Sequence, residues 1–360
     1  MRFLFSLLFS LFLLQGATAQ VITRLSGGVS HFSYNTSDLL GVVTSALDGD
    51  TIILPGGPLN IGGLSVTKNI TFVGAGILQS GTPVTGQTQI VYAFQQDIVI
   101  SAGGNGSSFH GIHFMRPVRF TGGVSSVSFV RCSFDSGLSL AGFQQIAANN
   151  IIIKQCIFAG SLISGGSAPQ NLSVSNTFLS GGIDFGQGIS TATFSQCIIF
   201  GVTNTQTNRN QGVIYTNNVL IFGPGTSNTG LYNASYYNNL FCRSTGNIIN
   251  WQGAFDGGEN VGFQMAANNP FVNVPLNTLG SFIPSNDYQI NTQIPTNPAT
   301  AMGQGGYNVG VYGGPPGNPW KPNAIPFNPH WTGLLPSGGS LGTTTGGVIN
   351  VTIQGAAQQN

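Results

Sequence analysis

The chain has 360 residues, and its 10 Lys and Arg and 9 Asp and Glu make up 5% of it, whereas an average soluble protein carries about 25% charged residues. Hydrophobic residues account for 41%, so a sizeable core can form and disorder driven by charge is excluded. A nucleic-acid partner is not expected, because binding to phosphates requires clustered Lys and Arg.

The first 19 residues have the organisation of a secretory signal peptide. A basic start at Arg2 precedes an apolar run over residues 3–14, and the segment ends in Ala17-Thr18-Ala19, which is a small-residue cleavage pattern. The apolar run is shorter than the roughly 20 residues that a spanning helix needs, and no later stretch is apolar enough to span a membrane. We therefore predict a secreted protein, extracellular or at the cell surface.

Five segments divide the sequence. Residues 1–19 are the signal peptide, 20–50 an N-terminal cap, 51–250 a run of repeats, 251–333 the terminal repeats with a Pro- and Asn-rich closing segment, and 334–360 a polar linker and a last strand. In the cap, Ser37 to Leu47 predicts a short helix with Ser37 or Asp38 near its N-terminus. Asp48-Gly49-Asp50 then turns into the first strand.

A short pattern recurs through the middle of the chain, in which Cys or Asn is followed two positions later by a large apolar residue. It reads Cys132-Ser133-Phe134, Cys156-Ile157-Phe158, Asn176-Thr177-Phe178, Cys197-Ile198-Ile199, Asn218-Val219-Leu220 and Asn239-Leu240-Phe241, with spacings of 24, 20, 21, 21 and 21 residues. Each unit opens with a β-rich run, and no helical period is sustained.

A repeat of about 21 residues suits one coil of a parallel β-helix, with three short strands separated by turns. Stacked coils align like residues into ladders at the strand spacing. We expect an inward apolar ladder of Phe134, Phe158, Phe178, Ile199, Leu220 and Phe241. A second ladder, at a turn, is expected to contain Cys132, Cys156, Asn176, Cys197, Asn218 and Asn239. In the third coil, Leu172 and Val174 are out of phase with this scheme.

Further segments strengthen this interpretation, namely 46–55 around Asp48-Gly49-Asp50, 68–76 around Asn69-Ile70-Thr71-Phe72, and 308–314. Together with the coils and the signal peptide they resemble the secreted right-handed parallel β-helix proteins of Bacteroidota, in the pectin-lyase-like superfold. The resemblance implies an all-β, right-handed parallel β-helix. It does not fix an activity, because the superfold includes lyases, hydrolases and adhesins.

Asp256 and Glu259 form the first candidate site. They lie on a glycine-rich segment, Phe255-Asp256-Gly257-Gly258-Glu259-Asn260, where two carboxylates and an amide could bind calcium or act in catalysis. The alternative is a surface turn shaped by Asp and Gly. No other cofactor is expected. Asp48 and Asp50 are interpreted as structural residues of the opening turn.

A second candidate site combines Asp135 with Arg131 and Lys154. The two basic residues precede their ladder cysteines by one and two positions, so they could hold an anionic sugar on one face, or they could simply be solvated. Asp135 and Asp184 have different offsets from their ladder positions and are not expected to converge. His110 and His113 are expected on opposite faces of one strand, which argues against a metal pair.

Aromatic residues in the later coils are candidates for sugar recognition, namely Tyr215, Tyr236, Tyr237 and Trp251. The alternative for the tryptophan is to cap the open end of the solenoid. The four cysteines, Cys132, Cys156, Cys197 and Cys242, are interpreted as buried thiols, with disulfides between stacked coils as the alternative.

These observations favour a non-catalytic surface or matrix protein that binds a polysaccharide or cell-surface glycan. A polysaccharide lyase or glycoside hydrolase is the alternative, and an adhesin-like structural module is the third possibility.

Overall fold

The computed structural model describes residues 21–78, 86–92, 96–140, 148–164, 167–185, 190–202, 211–222, 230–231, 233–243, 250–251, 253–265, 269–275, 281–294, 297–316, 319–321, 330–336 and 351–356. The predicted signal peptide lies outside these residues. Among the described residues, no helix is long and apolar enough to cross a membrane.

A hairpin and one short helix close the N-terminal end of the molecule. Strand β1 (Ile22–Ser26) pairs in antiparallel fashion with β2 (Val29–Ser33) and with β3 (Thr51–Ile53). Helix α1 spans Leu39–Ser45 and buries Leu39 and Val43, and a 3₁₀ turn at Thr36–Asp38 precedes it. The helical segment therefore begins and ends within two residues of the predicted bounds.

The opening turn is held by its two aspartates. Asp50 Oδ2 accepts a hydrogen bond from Leu47 N at 2.9 Å, and Asp48 Oδ1 accepts one from Asn69 N, in the next coil, at 2.8 Å. Arg24 Nε lies 3.8 Å from Asp50 Oδ2. The structural role predicted for Asp48 and Asp50 is confirmed.

Three sheets form the body of the molecule, a β-solenoid in which β3 and the strands after it are parallel. Sheet A has 12 strands: β1, β2, β3, β6 (Thr71–Val73), β9 (Ser108–His110), β12 (Ser128–Val130), β15 (Ile152–Lys154), β18 (Leu172–Ser175), β21 (Ala192–Ser195), β23 (Val213–Thr216), β26 (Ser235–Tyr237) and β29 (Phe255–Asp256). Sheet B has 10 strands: β4 (Gly57–Ile61), β7 (Thr88–Tyr92), β10 (Ile112–Phe114), β13 (Ser133–Phe134), β16 (Ile157–Phe158), β19 (Phe178–Leu179), β22 (Ile198–Val202), β24 (Val219–Phe222), β27 (Leu240–Arg243) and β30 (Val261–Gln264).

Sheet C and three small pairs complete the strand set. Sheet C has 6 strands: β5 (Leu64–Val66), β8 (Ile98–Ser101), β11 (Val118–Thr121), β14 (Leu138–Ser139), β17 (Leu162–Ile163) and β20 (Ile183–Asp184). The pairs are β25 (Gly230–Leu231) with β28 (Asn250–Trp251), β31 (Phe271–Asn273) with β32 (Asp287–Ile290), and β33 (His330–Pro336) with β34 (Val351–Ala356). The predicted fold class, an all-β solenoid with coils of about 21 residues, is confirmed.

The strand register corrects the predicted phase of the third coil. Phe158 pairs with Leu179, and Leu179 pairs with Ile199, so Leu179 and not Phe178 belongs to the inner apolar ladder. The corresponding turn position is Thr177 and not Asn176. With this shift Val174, which the sequence placed out of phase, pairs with Ile153 and Phe194. The coil is regular.

A polar ladder runs inside the turn between sheets A and B. It contains Cys132, Cys156, Thr177, Cys197, Asn218, Asn239 and Asn260, which align through the strand register. Each side chain can accept a hydrogen bond from the backbone of the preceding coil: Asn218 Oδ1 accepts from Cys197 N at 2.8 Å, and Asn239 Oδ1 accepts from Asn218 N at 2.9 Å. These bonds satisfy backbone groups that are buried and would otherwise lack partners.

All four cysteines are free and buried, as the preferred interpretation predicted. Cys132 N donates to Cys156 Sγ at 3.4 Å, so the sulfur occupies the acceptor position that an amide oxygen takes in later coils. Burial raises the pKa of Cys197 to about 12. The thiols are therefore small apolar groups with a secondary role as acceptors.

A cover segment, formed by the described parts of residues 269–321, returns along the outside of sheet B. Its Tyr288, Val311 and Trp320 pack with outward residues of the later strands in a second hydrophobic cluster, separate from the one inside the coils. Strand β24 is accordingly buried on both faces. A both-sided apolar strand of this kind requires packing on each face.

Amides at the turn between sheets A and B anchor the cover segment. Gln155 Nε2 donates to Pro319 O at 2.6 Å, Asn176 Nδ2 to Val311 O at 2.9 Å, and Asn238 Nδ2 to Met302 O at 3.1 Å. These amides occupy the position just before the polar ladder, where the backbone has positive φ. Asparagine tolerates this left-handed conformation. The cover segment thus runs antiparallel to the order of the coils.

Candidate functional site

The outer face of sheet A presents one uninterrupted row, which we call the outer stripe. It contains Thr51, Thr71, Ser108, Ser128, Ile152, Ser173, Thr193, Ile214, Ser235 and Phe255, each in register with the next. No member is charged. At a strand spacing of about 4.8 Å, nine steps extend about 43 Å.

The strands place this row outward because their residues alternate between core and solvent. In β18, β21 and β23 the first and third residues are buried and the second is exposed, which is the period of a half-buried strand. The most exposed part of the stripe begins at Ile152, where two hydroxyl residues, Ser173 and Thr193, separate two isoleucines. Ile152 is 49% exposed and Ile214 39%.

The hydroxyls of the stripe are close enough to be bridged. Ser108 Oγ donates to Thr71 Oγ1 on the neighbouring strand at 3.1 Å. Exposed side chains of β-branched and hydroxyl residues in such an array offer both apolar contact and hydrogen-bonding groups to one ligand. The arrangement fits a molecule with apolar C–H faces and many hydroxyls, which is the chemistry of a sugar chain.

The structure moves two of the four aromatic candidates into the core. Tyr215 stacks between Phe194 and Tyr236, with ring centroids 5.1 Å and 4.9 Å apart. Burial raises the pKa of both tyrosine hydroxyls. Both residues continue the inward row of sheet A, which also contains Phe129 and Ile153. The prediction that they face a glycan is therefore wrong. Their position three residues before Asn218 and Asn239 was the signal that could have shown this.

Trp251 and Tyr237 have different positions. Trp251 packs its ring against Tyr236 and Phe241, at centroid distances of 5.7 Å and 6.0 Å, which is the capping alternative and not the sugar-binding one. Tyr237 is half-buried on the outer face of sheet A. It lies 6.1 Å from Phe255, ring to ring, beside the end of the outer stripe.

Asp256 and Glu259 belong to the last coil, and both are exposed. Asp256 Oδ1 accepts hydrogen bonds from Gly258 N at 3.0 Å and from Asn260 Nδ2 at 2.6 Å. Glu259 has a φ of 56°, at the turn position that asparagine occupies in earlier coils. The described residues contain no group of three or more His, Cys, Asp or Glu able to hold a metal ion. The segment is an exposed turn held by Asp256, and the calcium-binding and catalytic roles of Asp256 and Glu259 stay predictions.

Asp256 also ends the core. It is the register partner of Tyr236. In the inward row of sheet A, an acidic residue therefore stands in the coil after the last aromatic residue. A charge at this point opposes the addition of another strand to sheet A, which is a common protection of sheet edges.

Arg131 lies at the turn between sheets A and B, and Lys154 ends strand β15 of sheet A in the next coil. Arg131 is buried, with a φ of 56°, and its Nε donates to Gln155 Oε1 at 2.7 Å. Burial lowers the pKa of Arg131. Lys154 is half-buried on the outer face of sheet A, beside the stripe. The backbones of the two residues are in contact, since Arg131 N donates to Lys154 O at 2.8 Å. The Arg131 side chain is buried, however, so it is not part of the exposed or solvated basic pair that the sequence suggested.

Asp135 is on the other side of that turn and has a partner that the sequence did not suggest. Its Oδ1 lies 2.8 Å from His113 Nε2. The sequence placed His110 and His113 on one strand, and this prediction is wrong. His110 is on β9 and His113 on β10, with the turn at Gly111 between them. Asp184 lies on sheet C, whereas Asp135 follows a strand of sheet B, so the two acids are on different sheets.

The chain matches no family model, no curated protein and no solved structure.

Proposed function

We propose that this protein is a secreted, surface- or matrix-associated glycan-binding protein, and that the outer stripe is its binding face. One observation carries the proposal. Four successive strands of sheet A present an exposed row of register partners, Ile152, Ser173, Thr193 and Ile214. Apolar side chains can contact the C–H faces of sugars while the hydroxyls exchange hydrogen bonds. The strand spacing is close to the length of one sugar residue, so successive strands can meet successive residues.

The neutrality of the stripe favours binding over cleavage at this face. A glycoside hydrolase needs two carboxylates flanking the bond, and the stripe contains none. The chain itself has only 9 Asp and Glu. We therefore assign the stripe a non-catalytic role, and we expect it to bind a neutral part of a polysaccharide.

A charge placed on the stripe tests the proposal. Ile214, on the stripe, is the test position, and Ile163, on sheet C, is its matched control. The two side chains have nearly equal exposure, 39% and 37% respectively. Binding of the mature protein to a panel of soluble and insoluble polysaccharides is measured by pull-down and titration calorimetry. We expect Ile214→Glu to weaken binding about tenfold or more, a loss of about 1.4 kcal/mol, whereas Ile163→Glu leaves it unchanged.

Two results would reject the proposal. One is the absence of binding to every polysaccharide of the panel, and the other is an equal effect of both substitutions. Release of reducing ends or unsaturated products during the binding assay would show that the protein cleaves its ligand, in favour of the lyase or hydrolase alternative.

A further inference from the structure

Sheet B carries a second group of functional side chains, away from the outer stripe. His113 is on β10, and its register partner on β13 is Ser133. Asp135 follows two residues after Ser133, with its Oδ1 2.8 Å from His113 Nε2. Because residues two apart on a strand face the same side, and register partners do too, the three side chains belong to one face.

The two ring nitrogens of His113 differ in their hydrogen bonding. Nε2 is held by the carboxylate, and Nδ1 is buried with no hydrogen-bond partner in the described part of the chain. An unpaired polar atom in this position has a cost that calls for an explanation. An imidazole oriented by a carboxylate, with a serine as its register partner on the neighbouring strand, supplies the groups that activate a hydroxyl nucleophile. Nδ1 and Ser133 Oγ are not hydrogen-bonded in the structure, and such contacts often tighten only when substrate binds.

Accessibility differs across the three groups in a way that suits this role. The side chain of His113 is 14% exposed and that of Asp135 42%, whereas Ser133 is buried, with 8% exposure. The group is therefore open to solvent on the side of Asp135 and shielded around the serine. An ester must therefore reach the serine past the Asp135 side, which requires a local movement of the surrounding side chains.

We propose that Ser133, His113 and Asp135 form a hydrolytic site for acyl esters of alcohols, such as an O-acyl substituent of a sugar. The single carboxylate argues against glycoside cleavage, which uses a pair of carboxyl groups. An ester requires only a nucleophile, a base and the group that orients the base. This inference does not rest on the binding role of the outer stripe.

The reaction balances with water as the only co-reactant. His113 Nδ1 takes the proton of Ser133 as Oγ bonds to the acyl carbon, and the proton is passed to the alcohol oxygen as the ester C–O bond breaks. Water then gives a proton to His113 while its oxygen bonds to the acyl carbon. The acid leaves, and the proton returns to Ser133 Oγ. Asp135 holds the imidazole throughout.

The test uses the mature chain with two probes, a fluorophosphonate, which labels activated serines, and 4-nitrophenyl acetate. We expect the label on the peptide that contains Ser133, and its loss in Ser133→Ala. His113→Gln should lower the rates of labelling and ester hydrolysis by about 10²-fold or more, and Asp135→Asn should lower them less. Ser136→Ala is the matched control, since Ser136 lies in the same turn and its Oγ bonds to Met115 O, and it should react as the wild type does.

Circular dichroism and the melting temperature show that each variant is folded. Labelling of folded wild-type protein at Ser133 no greater than that of Ser133→Ala would overturn the proposal. Labelling of Ser133 that is unchanged in folded His113→Gln would overturn it as well, because the serine would then not be activated by this imidazole. Failure of glycan binding in the stripe experiment leaves both of these readouts unaffected.

Discussion

The early and late coils of the solenoid differ at the same positions of sheet B. From β7 onward, the outward row contains the polar residues Gln89, His113 and Ser133 and then the apolar residues Ile157, Phe178, Ile198, Val219 and Leu240. The cover segment packs on the apolar part. The polar part lies outside that cluster. The residue type in this row thus decides whether a coil packs against the cover segment through apolar side chains or presents polar ones at the same position.

The polar ladder inside the turn changes along the same direction. Early coils use the thiols of Cys132 and Cys156, whereas late coils use the amides of Asn218, Asn239 and Asn260. An amide accepts and donates at once: Asn218 Oδ1 accepts from Cys197 N, while its Nδ2 donates to Phe194 O in the same preceding coil at 2.9 Å and to Asn239 Oδ1 in the next coil at 3.0 Å. A thiol is a poor acceptor and donor. The late coils are therefore linked by stronger hydrogen bonds than the early ones.

The difference between early and late coils predicts its largest effect on stability at Phe178. Its side chain is fully buried, 4.5 Å from Phe282, 5.0 Å from Tyr288 and 5.2 Å from Trp320, ring to ring. Phe178→Ala should lower the free energy of unfolding by about 3–5 kcal/mol, since it leaves a cavity between sheet B and the cover segment. Chemical denaturation measures the change.

The control for this prediction lies on the same row. Gln89 is half-buried outside the covered part, so Gln89→Ala should change the free energy of unfolding by less than about 1 kcal/mol. Equal losses of unfolding free energy in the two variants would mean that packing of the cover segment does not make the late coils differ from the early ones.

A smaller effect is expected at the polar ladder. Asn218→Ala removes the acceptor of Cys197 N and the donor to Phe194 O, both buried. Leaving two buried backbone groups without partners should cost about 2–4 kcal/mol. In the early coils, Cys156→Ala removes the weak sulfur acceptor of Cys132 N at 3.4 Å and the weak thiol contacts to Phe129 O and Lys154 O, and it should cost about 1–2 kcal/mol. Denaturation of both variants gives the ranking, and a larger loss for Cys156→Ala would contradict the difference between thiol and amide coils.

The solenoid was predictable from the sequence because each coil repeats its Cys or Asn at a fixed spacing. The error at the third coil has a physical cause. Asparagine suits both the left-handed turn residue and the ladder position that follows it, as the pairs Asn217-Asn218 and Asn238-Asn239 show. At Asn176 the sequence offered the right residue type for the wrong position, and Thr177 takes the ladder place.

The candidate site was less predictable. Arg131 and Lys154 are neighbours along the backbone, but their different offsets from the ladder cysteines place Arg131 in the buried turn and Lys154 on the outer face of sheet A. The partner of Asp135 was missed because His113 belongs to a coil whose turn carries Gly111 and Ile112, without the Cys or Asn that marks later coils. The cover segment has no repeat at all. The remaining signal was the run Val219–Phe222, which is apolar at every position and therefore needs packing on both faces.

The smallest predicted effect concerns the pH dependence contributed by His110, in the early coils. Burial, and then the charge of Arg131, lower the pKa of this imidazole below its ordinary value of 6.5. As pH falls below 6.5, the unfolded chain binds a proton that the folded chain does not, so the free energy of unfolding decreases. The decrease ends once pH reaches the lower pKa of the folded state. Each pKa unit of difference corresponds to about 1.4 kcal/mol.

Replacement of His110 isolates this contribution from those of the other titrating groups. Denaturation curves of the wild type and of His110→Gln, measured between pH 7.5 and 5, should show a smaller loss of stability in the variant as pH falls. Because the late coils keep their residues in both proteins, any difference in slope belongs to the early half. Parallel curves would show that the His110 imidazole is protonated equally in the folded and unfolded chains.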